Sequence, residues 1–319
     1  MYSLLDKIDS PEALKKFSPE ELTALCAEIR DFLFQTVSNT GGHLASNLGV
    51  VELTIALHRV FNSPRDKFIW DVGHQSYVHK LITGRKALFS SLRQFGGISG
   101  FPDPEESDHD AFSTGHASTA ISASLGMAIA RDLQGEDYNI VAIVGDGGLT
   151  GGMAYEALNH AGNLQKRLIV LLVDNGMSIS PTVGALSIRL SKIRLDYRFR
   201  EVKSRSRRFL SRTKYGAKID WAMTQLVRGT KALIMPTMLF EELGCTYIGP
   251  IDGHNITAVE TALEQAKSRT SKPSIVHIIT TKGKGVKLAE SAPVRYHSLR
   301  PGTGTIKPTS AIAMYFLKP

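Results

Sequence analysis

The chain has 319 residues, of which 42% are hydrophobic and 21% charged, and its formal net charge at pH 7 is +8. This balance is typical of a globular protein with one large core or two smaller ones, and no apolar run is long enough to predict membrane insertion or export. Cys26 and Cys245 lie too far apart to indicate a disulfide framework or a metal-binding spacing, which favours a cytoplasmic location.

The N-terminal part predicts two helices joined by a glycine turn. Ser18–Glu21 has the sequence of a capping box, and the apolar spacing after it predicts a helix to about Ser38. Ser10 precedes Pro11 and predicts a similar helix start. His43 lies in the following turn, Thr-Gly-Gly-His, before a second helix. Such a loop histidine is compatible with an ordinary surface position or with a functional one.

Two further histidines follow glycines at the ends of predicted elements. Phe68–Gln75 is predicted to be a short strand that ends in Gly-His74, where strands deliver ligands. Ser113–Ser118 reads Ser-Thr-Gly-His-Ala-Ser before a helix of small residues, and we expect an anion-binding nest at that helix N-terminus. The acidic stretch Asp103–Asp110 between them is predicted to be exposed.

The centre of the sequence has the pattern strand, glycine turn, helix, strand. Val141–Val144 is an apolar run before Gly-Asp-Gly-Gly, Gly152–Asn163 has helical composition, and Leu168–Val173 is a second apolar run before Asp-Asn. This is the pattern of a βαβ unit, whose parallel strands end at one edge. Since strands and helices also alternate further on, as in the helix Ile256–Lys267 and the strand Ser274–Thr281, we predict an α/β fold. Its sheet is expected to be doubly wound and mostly parallel, with helices on both faces.

The ends of these two strands predict a metal-bridged diphosphate site. Glycines let backbone amides approach an anion, and the helix N-terminus favours negative charge. Asp146 and Asn175 supply oxygen ligands of the kind that Mg²⁺ prefers. Either strand end by itself also fits an ordinary turn, in which Asp, Asn and Gly are common. Together, with 27 residues between Gly147 and Asn175, they resemble the thiamine diphosphate fingerprint.

The positive charge is concentrated in one segment. Between Arg189 and Lys218 there are twelve Lys or Arg against two Asp or Glu. The segment contains few aromatic residues and no zinc-finger or RNP pattern. We interpret it as a solvated, mobile excursion at about 185–235, within a domain that spans 1–300, and 301–319 as a tail or truncated linker. Nucleic-acid binding is the alternative for this segment, although we expect no nucleic-acid partner.

Several separated motifs resemble the N-terminal domain of 1-deoxy-D-xylulose-5-phosphate synthases. They are Gly-Gly-His43-Leu-Ala-Ser-Asn, Trp-Asp-Val-Gly-His74-Gln, Ser-Thr-Gly-His116-Ala-Ser, Gly-Asp146-Gly with Asp-Asn175-Gly-Met-Ser, and the later Asp-Gly-His254 and Lys-Gly-Lys-Gly285. The resemblance extends from the first helices to about His297. It implies a thiamine diphosphate-binding fold and a transketolase-type transferase, which condenses pyruvate with glyceraldehyde 3-phosphate to 1-deoxy-D-xylulose 5-phosphate for isoprenoid precursor synthesis.

The resemblance also implies a role for each matching residue. Asp146 and Asn175 are expected to bind Mg²⁺ together with the backbone carbonyl of Met177. His43 and His297 are the expected catalytic residues, facing the thiazolium and the reacting carbonyls and passing protons with pKa values near neutrality. The residues expected to hold thiamine diphosphate are His74, Gly115, His116, Ala117, Gly147, Gly148 and Asn175.

The chain departs from the family pattern in two respects. Val286 stands where the family usually has an aromatic residue, so we expect no cofactor-stacking contact there. Family members are also longer, and their second domain supplies the glutamate that activates the aminopyrimidine ring and much of the substrate phosphate site. We therefore expect the chain to be inactive alone and to act as a homodimer or with a separate C-terminal half. We expect no membrane partner. The alternatives are the N-terminal subunit of a split transketolase and a non-catalytic cofactor-binding remnant.

Overall fold

A parallel sheet forms the centre of the protein. The computed structural model describes residues 2–195, 197 and 238–302, so most of the predicted excursion and nearly all of the predicted tail lie outside the described residues. Within them the sheet has five strands in the order β1-β2-β3-β5-β4, and all neighbours are parallel. The strands are β1 (Lys67–Trp70), β2 (Ile140–Gly145), β3 (Ile169–Asp174), β4 (Thr246–Asp252) and β5 (Ser274–Ile279).

Helices cover both faces of this sheet, as predicted. They are α1 (Pro19–Thr40), α2 (Ala45–Leu48), α3 (Val51–Val60), α4 (Tyr77–Lys80), α5 (Ala120–Gln134), α6 (Asp146–Leu149), α7 (Gly152–Leu164), α8 (185–195), α9 (Met238–Glu242), α10 (Ile256–Lys267) and α11 (Lys287–Ser291). Shorter helical turns lie at Leu5–Lys7, Pro11–Lys16, Leu81–Arg85 and Lys86–Ser91. No described helix has the length and apolar composition needed to cross a membrane.

The strand sequences explain why the sheet is covered on both sides. In β2, Ala142 and Val144 face a core that includes α5 and α7, whereas Val141 and Ile143 face a core that includes α3 and α10. Both faces of the strand are therefore buried, which is why its sequence is continuously apolar. A third core joins α1 to the helices beside it. At the start of α1, Ser18 and Glu21 form the predicted capping box.

Two local predictions in the N-terminal half hold only in part. A helix does begin at Pro11, but it is a 3-10 helix over Pro11–Lys16, and the side chain of Ser10 makes no capping hydrogen bond. The stretch predicted to be exposed ends at Asp110, which is only 2% exposed. Its carboxylate accepts hydrogen bonds from Arg85 at 2.6 and 2.9 Å and from His79 at 3.0 Å. A buried cationic partner thus holds this acidic residue inside the protein.

The sequence pattern did not reveal strand β4. Gly249 and Pro250 lie in its middle, and its pairing with β5 is irregular between Ile248 and Ile251. Proline cannot donate to a ladder of hydrogen bonds, but an edge strand tolerates it. The two cysteines are buried free thiols.

Candidate active site

A cavity of about 420 Å³ lies at the carboxyl edge of the sheet. It is lined by residues that follow four strands: Asp71 after β1, Asp146 after β2, Asn175 after β3 and Lys282 after β5. The residues given a role by sequence all line it as well: His43, His74, Gly115, His116, Ala117, Asp146, Gly147, Gly148, Asn175, Met177 and His297. The structure therefore brings the separated motifs together, while the chemical role of each residue stays a prediction.

Asp146 and Asn175 lie side by side at one end of the cavity. The backbone N–H of Asn175 is 3.5 Å from Oδ1 of Asp146, and Thr182 donates to Oδ2 at 3.1 Å. The amide oxygen of Asn175 accepts from the backbone of Met177 at 2.9 Å. Burial, and then the negative charge of Asp174, raise the pKa of Asp146 to about 6. The ionised carboxylate is therefore short of compensating positive charge, and a cation bound beside it would supply that charge.

The ligands available at this end suit a hard cation. Among residues 2–195, 197 and 238–302, no group of three or more His, Cys, Asp or Glu could hold a metal ion. The metal ligands expected from the sequence are one carboxylate, one side-chain amide and one backbone carbonyl, from Asp146, Asn175 and Met177, all of which line the cavity. Mg²⁺ accepts so few protein ligands because phosphate oxygens and water complete its octahedron. A structural zinc site would need more nitrogen or sulfur ligands.

Two glycines let the backbone come close to this end of the cavity. A Cβ atom on Gly148 would lie 2.1 Å from Oδ2 of Asp71, and one on Gly147 would lie 3.0 Å from the Cβ of Ser178. A side chain at Gly148 is therefore excluded by the neighbouring carboxylate. Both glycines line the cavity, and the absence of a Cβ atom allows their close contacts with Asp71 and Ser178.

Asp71 corrects the prediction of an anion-binding nest before α5. Its carboxylate accepts hydrogen bonds from the backbone N–H groups of Ser118, Thr119 and Ala120 at 3.0, 2.9 and 3.2 Å. The helix N-terminus thus already receives an anion from the protein itself. Gly115–Ala117, one turn earlier, still line the cavity.

Lys282 is a site residue that the sequence analysis missed. Its side chain lines the cavity, is only 5% exposed and donates a hydrogen bond to the backbone carbonyl of Ser178. Burial lowers its pKa to about 8, although the charge of Asp146 opposes this shift. A cation in this position suits an anionic group of a ligand. The available signal was its place directly after β5, at the edge where the other polar residues end.

Three imidazoles form the other end of the cavity. The ring centroids of His43, His74 and His297 lie 5.2 to 5.5 Å apart. In the described structure, Nδ1 of His43 and Nδ1 of His74 are buried without a hydrogen-bond partner. Nδ1 of His297 lies 3.4 Å from the hydroxyl of Ser46. These rings therefore carry unused hydrogen-bonding capacity at the cavity.

The pKa values of these histidines differ from the sequence-based expectation. Burial, with the charge of His297, lowers the pKa of His43 to about 4. Burial, with the charge of His43, lowers the pKa of His74 to about 3, and burial with the charge of Lys282 lowers that of His297 to about 4. The expectation of near-neutral pKa values is wrong. At pH 7 each ring is uncharged, with one N–H donor and one acceptor nitrogen.

Asn47 and a short backbone pairing hold the histidine loops together. The amide nitrogen of Asn47 donates to the carbonyls of His43 and His74 at 2.7 and 2.8 Å. Gly42 and Leu299 pair through hydrogen bonds of 3.0 and 2.8 Å, which places His297 beside His43. Asn47 is fully buried, and sequence reasoning had assigned it no role.

Val286 does not take part in the cavity. It is 3% exposed and belongs to the core around α1. Val286 is not among the residues that line the cavity, and the expected loss of a cofactor-stacking contact at this position stays a prediction.

Comparison with known sequences identifies close relatives. The family model described as 1-deoxy-D-xylulose-5-phosphate synthase matches residues 5–280. Proteins of that name from Dehalococcoides mccartyi strain BAV1 and Pelotomaculum thermopropionicum are 52% and 55% identical to the chain. These matches cover 98% and 94% of the chain but 49% and 47% of the relatives. The chain thus spans about half the length of the curated relatives it matches.

Solved structures share the fold. A transketolase from Campylobacter jejuni aligns with a TM-score of 0.65 at 19% identity, covering 94% of this chain and 46% of that one. Transketolase from Leishmania mexicana aligns with a TM-score of 0.61 at 17% identity, covering 94% and 44%. At these identities the likeness concerns the fold alone, and it confirms the predicted α/β class.

Proposed function

Because the chain belongs to the 1-deoxy-D-xylulose-5-phosphate synthase family, we propose that it forms the part of a transketolase-type transferase that binds Mg²⁺ and the diphosphate of thiamine diphosphate. The whole enzyme condenses pyruvate with glyceraldehyde 3-phosphate to 1-deoxy-D-xylulose 5-phosphate. The observation that carries the proposal is the meeting of Asp146, Asn175 and Lys282 around one cavity, beside Gly147 and Gly148.

In this proposal the metal end binds the charged part of the cofactor. Asp146, Asn175 and the carbonyl of Met177 hold Mg²⁺, and the backbone at Gly147 and Gly148 approaches the diphosphate. Lys282 adds a positive charge on the same wall. The diphosphate of the cofactor carries several negative charges, and burying uncompensated charge is costly. The lysine, the metal ion and the backbone amides together balance these charges.

The histidine end orients the substrates. His74, Gly115, His116 and Ala117 contact the cofactor, and His43 and His297 face the reacting carbonyls. Thiamine diphosphate, when bound, supplies the nucleophilic carbon. Since the imidazoles are neutral at pH 7, each donates a hydrogen bond from one ring nitrogen and accepts a proton or hydrogen bond at the other. Burial of the cluster also limits the access of water to the reacting atoms.

The relatives favour a synthase over the split-transketolase alternative. Identity to the synthases is 52% and 55%, whereas identity to the aligned transketolases is 17% and 19%. We propose that a homodimer or a separate C-terminal half completes the catalytic site. A split-transketolase subunit differs in accepting ketose phosphates as donors, and a non-catalytic remnant stays inactive with any second half.

Calorimetric titration of the 319-residue chain with thiamine diphosphate tests the proposal. We expect binding with Mg²⁺ and none with EDTA, and weaker binding of thiamine monophosphate because it lacks the outer phosphate. Mixing the chain with the separately expressed C-terminal half of a relative should then produce 1-deoxy-D-xylulose 5-phosphate from pyruvate and glyceraldehyde 3-phosphate. The proposal would be refuted if thiamine diphosphate bound equally well with and without Mg²⁺. It would also be refuted if the mixture used ketose phosphates, but not pyruvate, as donors.

A further inference from the structure

A chain of buried polar groups lies directly behind the proposed magnesium-binding loop. Asp174, the last residue of β3, is fully buried, and its Oδ2 is 2.9 Å from Nε2 of His277 in β5. Nδ1 of His277 is 2.7 Å from the hydroxyl of Tyr247 in β4. Because an ionised carboxylate only accepts hydrogen bonds, His277 donates from Nε2 to Asp174. The hydroxyl of Tyr247 lies within hydrogen-bond distance of the other ring nitrogen. Three neighbouring strands are thus linked behind Asn175.

Arg194 of α8 extends this chain on its other side. Its guanidinium forms an ion pair with Oδ1 of Asp174, and the backbone N–H of Gly176 donates to the same oxygen at 3.3 Å. Nη2 of Arg194 also donates to the hydroxyl of Ser191 at 2.6 Å. The Asp174 carboxylate therefore holds both the helix and the backbone of the loop.

Gly176 shows how closely the arginine covers the loop. Its φ of +76° lies in the left-handed region, and a Cβ atom there would lie 2.9 Å from Nη2 of Arg194. A side chain at this position would collide with the guanidinium. The loop is fixed at its far end as well, because Thr182 donates to Asp146.

The elements on both sides of residues 198–237 attach to the same chain of groups. Before them, α8 buries Leu190 and Ile193 against the sheet and brings Arg194 to Asp174. After them, Phe240 of α9 stacks on Tyr247 with ring centroids 5.9 Å apart and planes within 4°. The packing of α8 and α9 is thereby connected to Asp174 from two directions.

We propose that Arg194 and His277 are positioning residues that hold the loop of residues 175–182 in its metal-binding shape through Asp174. The magnesium and diphosphate affinity of the site then depends on the packing of α8 and α9. Groups that orient the ligands of a metal contribute strongly to its affinity without touching it. The identity of the ligand in this inference rests on the proposed function.

The positive charge of Arg194 and its role in positioning the loop predict opposite effects of its replacement on Mg²⁺ affinity. Removing a cation near a cation site strengthens the attraction of Mg²⁺ if only electrostatics matters. Releasing Asp174 and the loop weakens binding if position matters. An Arg194→Gln variant therefore separates the two, and Arg194→Lys retains the charge while losing the paired geometry of the guanidinium.

The first test measures Mg²⁺ affinity by calorimetry of the full chain with thiamine diphosphate. We expect Arg194→Gln to weaken Mg²⁺ binding about 10-fold, the lower end of the range for groups that orient metal ligands, and Arg194→Lys to weaken it less. Lys192→Gln, on an exposed position of the same helix, is the matched control and should bind as the parent does. Equal binding by Arg194→Gln and Lys192→Gln, or tighter binding by Arg194→Gln, overturns the inference.

A second test needs no ligand. Backbone hydrogen exchange across residues 175–182 should be faster in Arg194→Gln than in Lys192→Gln, and Tyr247→Phe, which removes only the hydroxyl at the other end, should show a smaller increase. Equal exchange in all variants overturns the inference. If the parent chain binds no thiamine diphosphate but the exchange differences are present, the proposed function fails and the positioning role stands.

Discussion

Charged residues line two cavities of the protein, and the hydrogen-bond partners of those residues differ between the two. The second cavity, of about 580 Å³, is bordered by α1, α3 and the start of α10. There Glu52 accepts from Arg30 at 2.7 Å and from His254 at 3.1 Å, and His254 in turn accepts from the backbone of Thr281 at 2.8 Å. In the candidate active site, by contrast, Nδ1 of His43 and Nδ1 of His74 have no partner in the described structure.

The pKa values express the same difference. Burial acts to raise the pKa of Glu52, but the hydrogen bond from His254 and the charge of Arg30 outweigh it, and the pKa falls to about 2. In the candidate active site the effect of burial prevails. The pKa of Asp146 therefore rises to about 6, and the pKa of His43 falls to about 4. A cluster of charged residues that compensate one another stabilises a fold, whereas uncompensated buried groups indicate a place for a ligand.

Removing the carboxylate of Glu52 from the second cavity should have the largest effect, and we expect that effect on the stability of the fold. Glu52→Ala leaves Arg30 and His254 largely buried without their carboxylate, so we expect the free energy of unfolding to fall by about 3–5 kcal/mol. Magnesium-dependent binding of thiamine diphosphate by the folded protein should be unchanged. Denaturant unfolding and calorimetry measure the two. Glu264→Ala, an exposed acid on α10, is the control, and lost binding with intact stability would contradict this view of the cavity.

Asp146→Asn should have the opposite pattern. We expect Mg²⁺ affinity to fall about 100-fold, or about 2.8 kcal/mol, because a ligand oxygen loses its charge. Stability at pH 7 should stay level or increase. The raised pKa of Asp146 means that folding disfavours its ionised form, and the neutral amide removes that cost. Asp108→Asn, at an exposed position, controls for the loss of charge; a strongly destabilised Asp146→Asn protein with normal Mg²⁺ affinity would reverse the comparison.

Lys282→Met sharpens the comparison within the active site. We expect thiamine diphosphate to bind about 10-fold more weakly, or about 1.4 kcal/mol, since the buried cation no longer faces the diphosphate. Binding of thiamine itself, which has no phosphate, should not change, and calorimetry with both ligands separates the effects. Lys284→Met, which removes the neighbouring lysine, is the matched control for the loss of a positive charge. Equal losses for thiamine and thiamine diphosphate would show that Lys282 shapes the cavity instead of attracting charge.

The smallest expected effect is a pH dependence from the three imidazoles. The folded state lowers the pKa of His43 from its ordinary 6.5 to about 4, so the unfolded chain binds more protons between these values. Stability is therefore lost as the pH falls below about 6.5. Relative to the parent, His43→Asn should lose less stability between pH 7.5 and 5.5, by about 1 kcal/mol. Unfolding curves at both pH values test this, and a pH dependence equal to that of the parent would contradict it.

Local patterns predicted much of this fold. The helix from Ser18 has its capping box, the helix Ile256–Lys267 has the bounds expected from its sequence, and the apolar runs around β2 and β3 form parallel neighbours. Such features depend on residues close together in the chain. The β4 strand was missed because Gly249-Pro250 contradicts a strand locally, and only its position at the sheet edge makes it acceptable.

The residues of the candidate site also include some that the sequence predicted and some that it did not. The residues that end the strands, Asp146 and Asn175, were predictable because the carboxyl ends of parallel strands meet at one edge. Lys282 was missed although it follows β5 at the same edge, because the local sequence does not show whether a lysine is buried or exposed. The role of Arg194 behind Asp174 was equally hidden, because the ion pair joins two elements that sequence patterns do not relate.

The sequence by itself determined which chemical groups reach the sheet edge, and its motifs were sufficient to identify the family. The tertiary structure decided which of those groups remain available to a ligand. Asp71 is occupied by the start of α5 and Glu52 by Arg30 and His254, while the Gly42–Leu299 pairing and Asn47 collect His43, His74 and His297 in one place. The reason is physical: burial and hydrogen-bond partners, which set both availability and pKa, come from parts of the chain that are distant in sequence.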